Sequence, residues 1–259
     1  MISTLSSFEF AQFNALIETN LGICFDIKRI YLLEQALQER VQALGCSDFS
    51  EYYLLLYDAP RLGEWKKLAP LLTIGETYFF RGDTHTTALS EYIIPQIVQS
   101  RQKKCDPSPI RILSCGCSTG EEPYTIALLF QELFPHVKFE ITAIDLNPAS
   151  LKIAKKGVYS ARSVNLVPTR YLVKYFQIKR KYRKRDEFHL NPEIKNQVHF
   201  QEGNLVDPHF YENVGSVDLL LCRNVLIYFA ADTIRIIISR LQKHSSFRFF
   251  FGSWTFRKC

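Results

Sequence analysis

The sequence predicts an α/β protein: a doubly wound, Rossmann-like sheet, with an all-α unit before it and a small antiparallel β insertion within it. Three observations carry this. From about residue 110, short apolar runs alternate with helical periodicities, the pattern of parallel strands and crossover helices. Residues 1–70 show helical spacing only. Between about 158 and 197 the alternation breaks into short strand-like pieces within a strongly basic segment.

The N-terminal unit comes first. Phe10, Phe13, Ile17 and Leu21 recur at helical spacing, as do Ile30, Leu33, Leu37, Val41 and Leu44, after which Gly45 suits a C-cap. Ser50 stands where it could cap a third helix through Tyr53, Leu54 and Tyr57, stopped near Pro60. No strand-like alternation occurs here, and by itself the unit says little about chemistry. We place its boundary near residue 70 and a second domain over residues 71–259.

In the second domain, Ile110–Cys115 is an apolar run that enters the turn Gly116-Cys-Ser-Thr-Gly120. Glu121–Phe134 has helical spacing at Ile126, Leu129, Phe130 and Leu133. Phe139–Ile144 reads as the next strand and ends at Asp145, with Pro148 suited to the first turn of the following helix. Val198–Gln201, Val217–Cys222 and Phe247–Phe251 read as strands, and Asp232–Leu241 as a helix. Inside the insertion, Tyr175–Ile178 and Glu187–Leu190 could pair as a hairpin around the basic run Lys179–Arg185.

Bulk properties narrow the class. The chain has 259 residues, 47% hydrophobic and 22% charged, enough to bury a real core. The formal net charge of +6 suits an acidic partner without choosing among nucleic acid, membrane surface and protein. No apolar stretch approaches the roughly 18 residues of a spanning helix, and no signal-peptide pattern opens the chain. The seven cysteines are scattered and odd in number, which reads as reduced thiols in the cytoplasm. Cys115-x-Cys117 lacks the spacing and the second ligand pair of a zinc site, so no metal is expected.

A strand feeding a glycine-containing turn and then a helix brings backbone N–H groups close to a ligand, and Gly116 and Gly120 permit that approach. The helix opens on Glu121-Glu122, which would repel a pyrophosphate and suits a cationic ligand. S-adenosylmethionine, with its ammonium and sulfonium, is such a ligand. Asp145, at the end of the next strand, stands where an acid accepts hydrogen bonds from ribose hydroxyls. Each residue has a plainer reading as well. The glutamates also complement a helix dipole, and an Asp after a strand is often a helix cap.

Three segments then make the pattern specific. Leu72-Thr-Ile-Gly-Glu-Thr-Tyr-Phe-Phe-Arg81, Ser114-Cys-Gly-Cys-Ser-Thr-Gly-Glu-Glu-Pro-Tyr124 and Cys222-Arg-Asn-Val-Leu-Ile-Tyr-Phe229 resemble the signature segments of the CheR family of chemotaxis protein-glutamate O-methyltransferases. The resemblance covers nearly the whole chain. It implies S-adenosylmethionine as methyl donor, with S-adenosylhomocysteine as product, and the cytoplasmic domain of a chemoreceptor, or a similar acidic helical protein, as partner. It also implies roles for single residues. Thr77 and Arg81 would touch the methionyl end, with Arg81 facing the methyl group. Glu122, with Glu121 as rival, would hold the charged end of the donor. Asp145 would bind the ribose, and Asn204 with Leu205 the adenine edge. Arg223 and Asn224 would line the opposite wall, and Tyr228 would point into the methyl-transfer site, making Arg81 and Tyr228 the catalytic pair. The β insertion could dock a receptor peptide by strand addition, as in some family members.

Two departures stand out. Gly75 occupies a cofactor-binding position where the family usually carries Asn. After Phe247–Gly252, which resembles the family's fifth strand, only Ser253–Cys259 follow, so two further strands are missing and the fifth would be an exposed apolar edge. Either something covers that edge, or the chain is a shortened form of reduced stability. The alternatives to receptor-glutamate methylation are therefore a catalytically weak binding scaffold, and methylation of RNA or a small molecule.

Overall fold

The computed structural model describes residues 4–58, 63–180 and 185–244. The chain begins with α1 (Ser7–Leu21), α2 (Ile30–Leu44), α3 (Phe49–Asp58) and the short α4 (Trp65–Leu68). α5 (Asp83–Ala88) and α6 (Ile94–Lys103) follow, joined by a π turn. The α/β part runs β1 (Ile110–Cys115), α7 (Glu121–Leu133), β2 (Phe139–Asp145) and α8 (Pro148–Lys156). The insertion holds β3 (Val158–Ser160), α9 (Ala161–Val164), α10 (Thr169–Tyr175), β4 (Phe176–Lys179), β5 (Glu187–Leu190) and α11 (Pro192–Lys195). The main sheet resumes with β6 (Val198–Glu202), α12 (Pro208–Glu212), β7 (Leu219–Cys222) and α13 (Ala231–Gln242).

Local chemistry sets the first helices. Ser6 caps α1 in a reciprocal box with Glu9, and Gly45 ends α2 at φ 70°. The cap of α3 is Asp48, whose Oδ1 accepts the Glu51 N–H at 2.9 Å, and not Ser50. Both residues are good caps. The chain enters the helix two residues earlier than a Ser50 cap implied, because Phe49 is fully buried and belongs to it. Between α5 and α6 the π turn Leu89–Ile93 interrupts the regular helical spacing.

The main sheet has strand order β6-β2-β1-β7, and all pairings are parallel. Side chains alternate across it. Ile110, Ile112, Ile141, Ala143, Leu219 and Leu221 enter one core, shared with α6, α7 and the insertion. Leu113, Cys115, Ile144, Leu220 and Cys222 enter the other. That second core is closed by Phe13, Ile17, Leu33, Leu37 and Tyr52 of the N-terminal helices and by Ile234, Ile237 and Leu241 of α13. The N-terminal helices are therefore one of the two layers that cover the sheet.

The insertion forms an antiparallel sheet of order β3-β5-β4. β4 starts at Phe176, since Tyr175 is still the last residue of α10. Phe79 packs edge-on against Tyr159 at 4.8 Å and Phe176 at 5.3 Å, which ties this sheet to the segment before α5. Part of the basic run, 181–184, and the expected strand Phe247–Phe251 lie outside the described residues. Cys46, Cys105, Cys115, Cys117 and Cys222 are free thiols. Among the described residues no helix is long and apolar enough to cross a membrane.

Candidate active site

β1 has β2 on one side and β7 on the other, so the chain leaves the middle of the sheet in two directions. In such sheets the ligand crevice opens at the carboxyl ends of the strands, where the order reverses. A cavity of about 350 Å³ lies there, within the roughly 300–1,000 Å³ range of ligand pockets. Its walls are the ends of β1, β2, β6 and β7 and the segment 73–78, and Leu21 and Ile23 of the helical unit enter it too.

The turn after β1 comes close to the next wall because Gly116 has no side chain. Its φ is 71°, and a Cβ there would stand 2.9 Å from Val225 Cβ. Ser118, two residues on, has φ 49°, and Asn224 after β7 has φ 57°. Phe80, beside Arg81, has φ 56°. Three of the four positive-φ non-glycine residues described thus sit in or beside this cavity, each costing about 1–3 kcal/mol, as strained backbone does at functional sites.

Charges in the cavity are paired or anchored. Glu122 Oε1 accepts from the Ser114 hydroxyl at 2.8 Å, and Arg223 Nη1 lies 3.3 Å from Glu122 Oε2. Burial pushes the Glu122 carboxyl above the usual carboxylate range, with Arg223 the main opposing influence. Asp145 accepts the Ser118 N–H at 2.7 Å and the Asn147 N–H at 2.8 Å, yet burial still raises its carboxyl. Arg223 also donates to Arg81 O at 3.0 Å. Arg81 donates to Glu76 O at 2.5 Å, lies over the Tyr78 ring at 5.6 Å, and forms no salt bridge with a carboxylate among the described residues.

Gly75, Thr77, Arg81, Glu122, Asp145, Asn204, Leu205, Arg223, Asn224 and Tyr228 all line this one cavity. Glu121 does not. It is 2% exposed, holds the Thr119 hydroxyl at 2.6 Å, and its burial raises its carboxyl, so the rivalry between the two glutamates ends with Glu122 facing the cavity. Two of the cavity-lining residues also bond to other parts of the fold. Asn204 donates from its side-chain amide to Asn20 O at 3.1 Å and accepts the Val206 N–H at 3.1 Å, so its side chain is anchored to the end of the first helix and to its own loop. The Tyr228 hydroxyl is bonded to the backbone of Ile74.

Sequence reading missed the contribution of the helical unit. Leu21 and Ile23 reach the cavity because Gly22 ends α1 and Ile23 then pairs with Phe229 in an isolated bridge. Asn14 fixes the turn by bonding both the N–H and the carbonyl of Phe25. A glycine after Leu21 suits a helix end, but nothing in sequence shows where that end lies in the fold. Thr125 and Ile126, one turn into α7, were missed because their spacing marks them as core.

The family described as "CheR methyltransferase, SAM binding domain" matches residues 75–246, and "CheR methyltransferase, all-alpha domain" matches residues 9–73. The chain belongs to the CheR methyltransferase family. Chemotaxis protein methyltransferase 2 of Vibrio cholerae is 33% identical over 224 residues, which is 85% of this chain and 75% of that protein. The chemotaxis protein methyltransferase of Borreliella burgdorferi is 31% identical over 240 residues, 91% and 83% of the two chains. WspC of Pseudomonas putida, a probable biofilm formation methyltransferase, is 31% identical over 82% of this chain and 48% of its own. CheR proteins are S-adenosylmethionine-dependent methyltransferases, and the cavity fits that cofactor. Gly116 opens a close backbone approach, the Glu122 carboxylate offers a counter-charge for a cation, and Leu205 with Leu146 offers apolar wall for a base.

Proposed function

We propose that the chain methylates glutamate side chains of a chemoreceptor-like protein in the cytoplasm, forming glutamate 5-O-methyl esters. S-adenosylmethionine supplies a methyl group on a sulfonium; transfer makes a C–O bond to the carboxylate, breaks the S–C bond and leaves S-adenosylhomocysteine.

One observation carries the choice of acceptor. The cavity offers no unengaged base among the described residues. No His or Lys lines it, and each of its carboxylates already has a partner that favours its charged form and so weakens it as a base: Glu76 has Arg162, Glu122 has Arg223 and Ser114, and Asp145 has two backbone N–H groups. An amine or hydroxyl acceptor must lose a proton to react. A glutamate, with a pKa near 4.3, is already an anion at neutral pH. What it needs is alignment and partial desolvation, not a base.

Within that reading, Glu122 and Asp145 hold the ammonium and the ribose, and Leu205 packs on the adenine. Arg81, without a carboxylate of its own, orients the incoming acceptor by charge-assisted hydrogen bonds. A receptor of the acidic, helical kind also suits the net charge of +6. Esterification removes a negative charge from the acceptor, the kind of local change that biases a signalling equilibrium.

The test is to incubate the chain with methyl-labelled donor and receptor cytoplasmic fragments and to follow base-labile label. Label that is stable to base, or that appears on nucleic acid, would overturn the assignment. Arg81→Ala should lower kcat/KM for the acceptor by about 100-fold or more.

A further inference from the structure

The segment 73–78 forms a wall of the cofactor cavity, yet among the described residues no backbone–backbone hydrogen bond ties it to the rest of the fold. The nearest such bonds are made by Leu72 and Phe79, at its two ends. Apolar burial does not hold it at Ile74 either, since that side chain is 72% exposed. Side chains must therefore do so.

Their contributions are unequal. Thr73 reaches Ala69 O at 3.5 Å and Ser118 reaches Gly75 O at 3.4 Å, both long for a hydroxyl donor. The Arg162–Glu76 pair is exposed on both sides, so it contributes little. The Arg81–Glu76 bond spans five residues and links the segment to its own continuation. Tyr228 is different. Its hydroxyl donates to Ile74 O and accepts the Ile74 N–H, both at 3.0 Å, and it comes from the segment after β7, 154 residues on. Its own backbone is anchored, with the Cys24 N–H donating to Tyr228 O at 2.9 Å.

We propose that Tyr228 is a positioning residue, the latch that holds the strap 73–78 closed against the cofactor. One phenol satisfies both backbone groups of Ile74, so releasing it frees the middle of the strap in a single event. Entry and exit of the cofactor then require the latch to open, and closure brings Gly75, Glu76 and Thr77 onto the cavity. The inference rests on the cavity being the cofactor's site and not on the identity of the acceptor.

The experiment uses Tyr228→Phe in the full chain, with three readouts: S-adenosylhomocysteine binding by calorimetry, methyl-transfer kinetics, and amide hydrogen exchange. The affinity for S-adenosylhomocysteine should fall about tenfold, as expected for the loss of two ordinary hydrogen bonds. The KM for S-adenosylmethionine should rise by a similar factor, so that the loss is seen mainly at low donor concentration. The Ile74 amide should exchange faster while the amides of β1 and β2 keep their protection. A loss of kcat of about 100-fold with unchanged binding would make Tyr228 a group acting on the reacting atoms, and would overturn the latch. Unchanged binding and exchange would overturn it equally. Should the variant fail to fold, the unaltered chain decides: an Ile74 amide exchanging as freely as an unstructured one, with and without S-adenosylhomocysteine, removes the latch. The binding and exchange measurements need no acceptor, so failure of the glutamate assignment would leave them readable.

Discussion

Arg223 Nη1 stands 3.3 Å from Glu122 Oε2, while the other carboxylate oxygen takes the Ser114 hydroxyl at 2.8 Å. The ion pair is longer than a well-formed charge-assisted bond, and both partners are mostly buried, with side chains 11% and 17% exposed. Glu122 is therefore held in place without being fully neutralised, which leaves it able to meet a cationic ligand.

The first prediction concerns pH. Burial raises the Glu122 carboxyl, so its charge is lost as pH falls through a value above the usual carboxylate range. Cofactor affinity should decline with it, and the decline should vanish in Glu122→Gln, which should bind weakly at every pH. Calorimetric titration across pH with S-adenosylhomocysteine checks this. Stability runs the opposite way. A carboxyl raised in the folded state contributes stability that is full below its unfolded pKa and is lost as pH rises through the raised value, and Asp145 adds in the same sense.

Gly75→Asn should be accommodated. Its φ lies outside the left-handed range, and an added Cβ would meet only the Ser118 hydroxyl at 3.6 Å, an ordinary contact. Stability should change by no more than about 0.5 kcal/mol, as for a surface substitution. Binding of S-adenosylhomocysteine should tighten as a polar side chain is restored to that wall. Weaker binding would show that the glycine is required there.

Gly116→Ala should be costly. It combines a φ of 71° with a contact of 2.9 Å to Val225 Cβ, so both backbone strain and overpacking act. A loss of roughly 2–4 kcal/mol is expected from urea unfolding, together with loss of cofactor binding. A variant as stable as the original would contradict the close approach of the two walls.

Asn204→Ala removes the bond to Asn20 O, which joins the loop after β6 to the end of α1, and the bond from the Val206 N–H, which braces the loop itself. About 1–2 kcal/mol of stability should go, measured by denaturant unfolding. Cofactor affinity should fall severalfold, because the loop's backbone loses its support.

Much of this architecture is written in local pattern. β1 and β2 fall where their apolar runs lie, the glycine after α2 caps it, and Asp145 ends its strand at the cavity. Most of the cavity-lining residues named from sequence lie in three motif segments, with Asp145, Asn204 and Leu205 outside them, and the sheet topology brings all of them to one edge. What could not be read depends on contacts between distant segments. The Tyr228 hydroxyl meets a backbone 154 residues away, and the side chain of Asn204 is drawn off to a helix end 184 residues away. The choice between Glu121 and Glu122 likewise turns on which face of α7 is covered, a property of the packed molecule.

The entry of Leu21 and Ile23 into the cavity bears on how these proteins can be re-engineered. The helical portion is not a cartridge that can be exchanged for that of a relative while the catalytic body stays untouched. A chimera joined near residue 70 would import a foreign Leu21–Phe25 turn, and with it a foreign patch of cofactor wall and a new partner for Tyr228 O. Grafts meant to redirect target choice should keep that turn with the body it closes, and exchange only the outward faces of the helices.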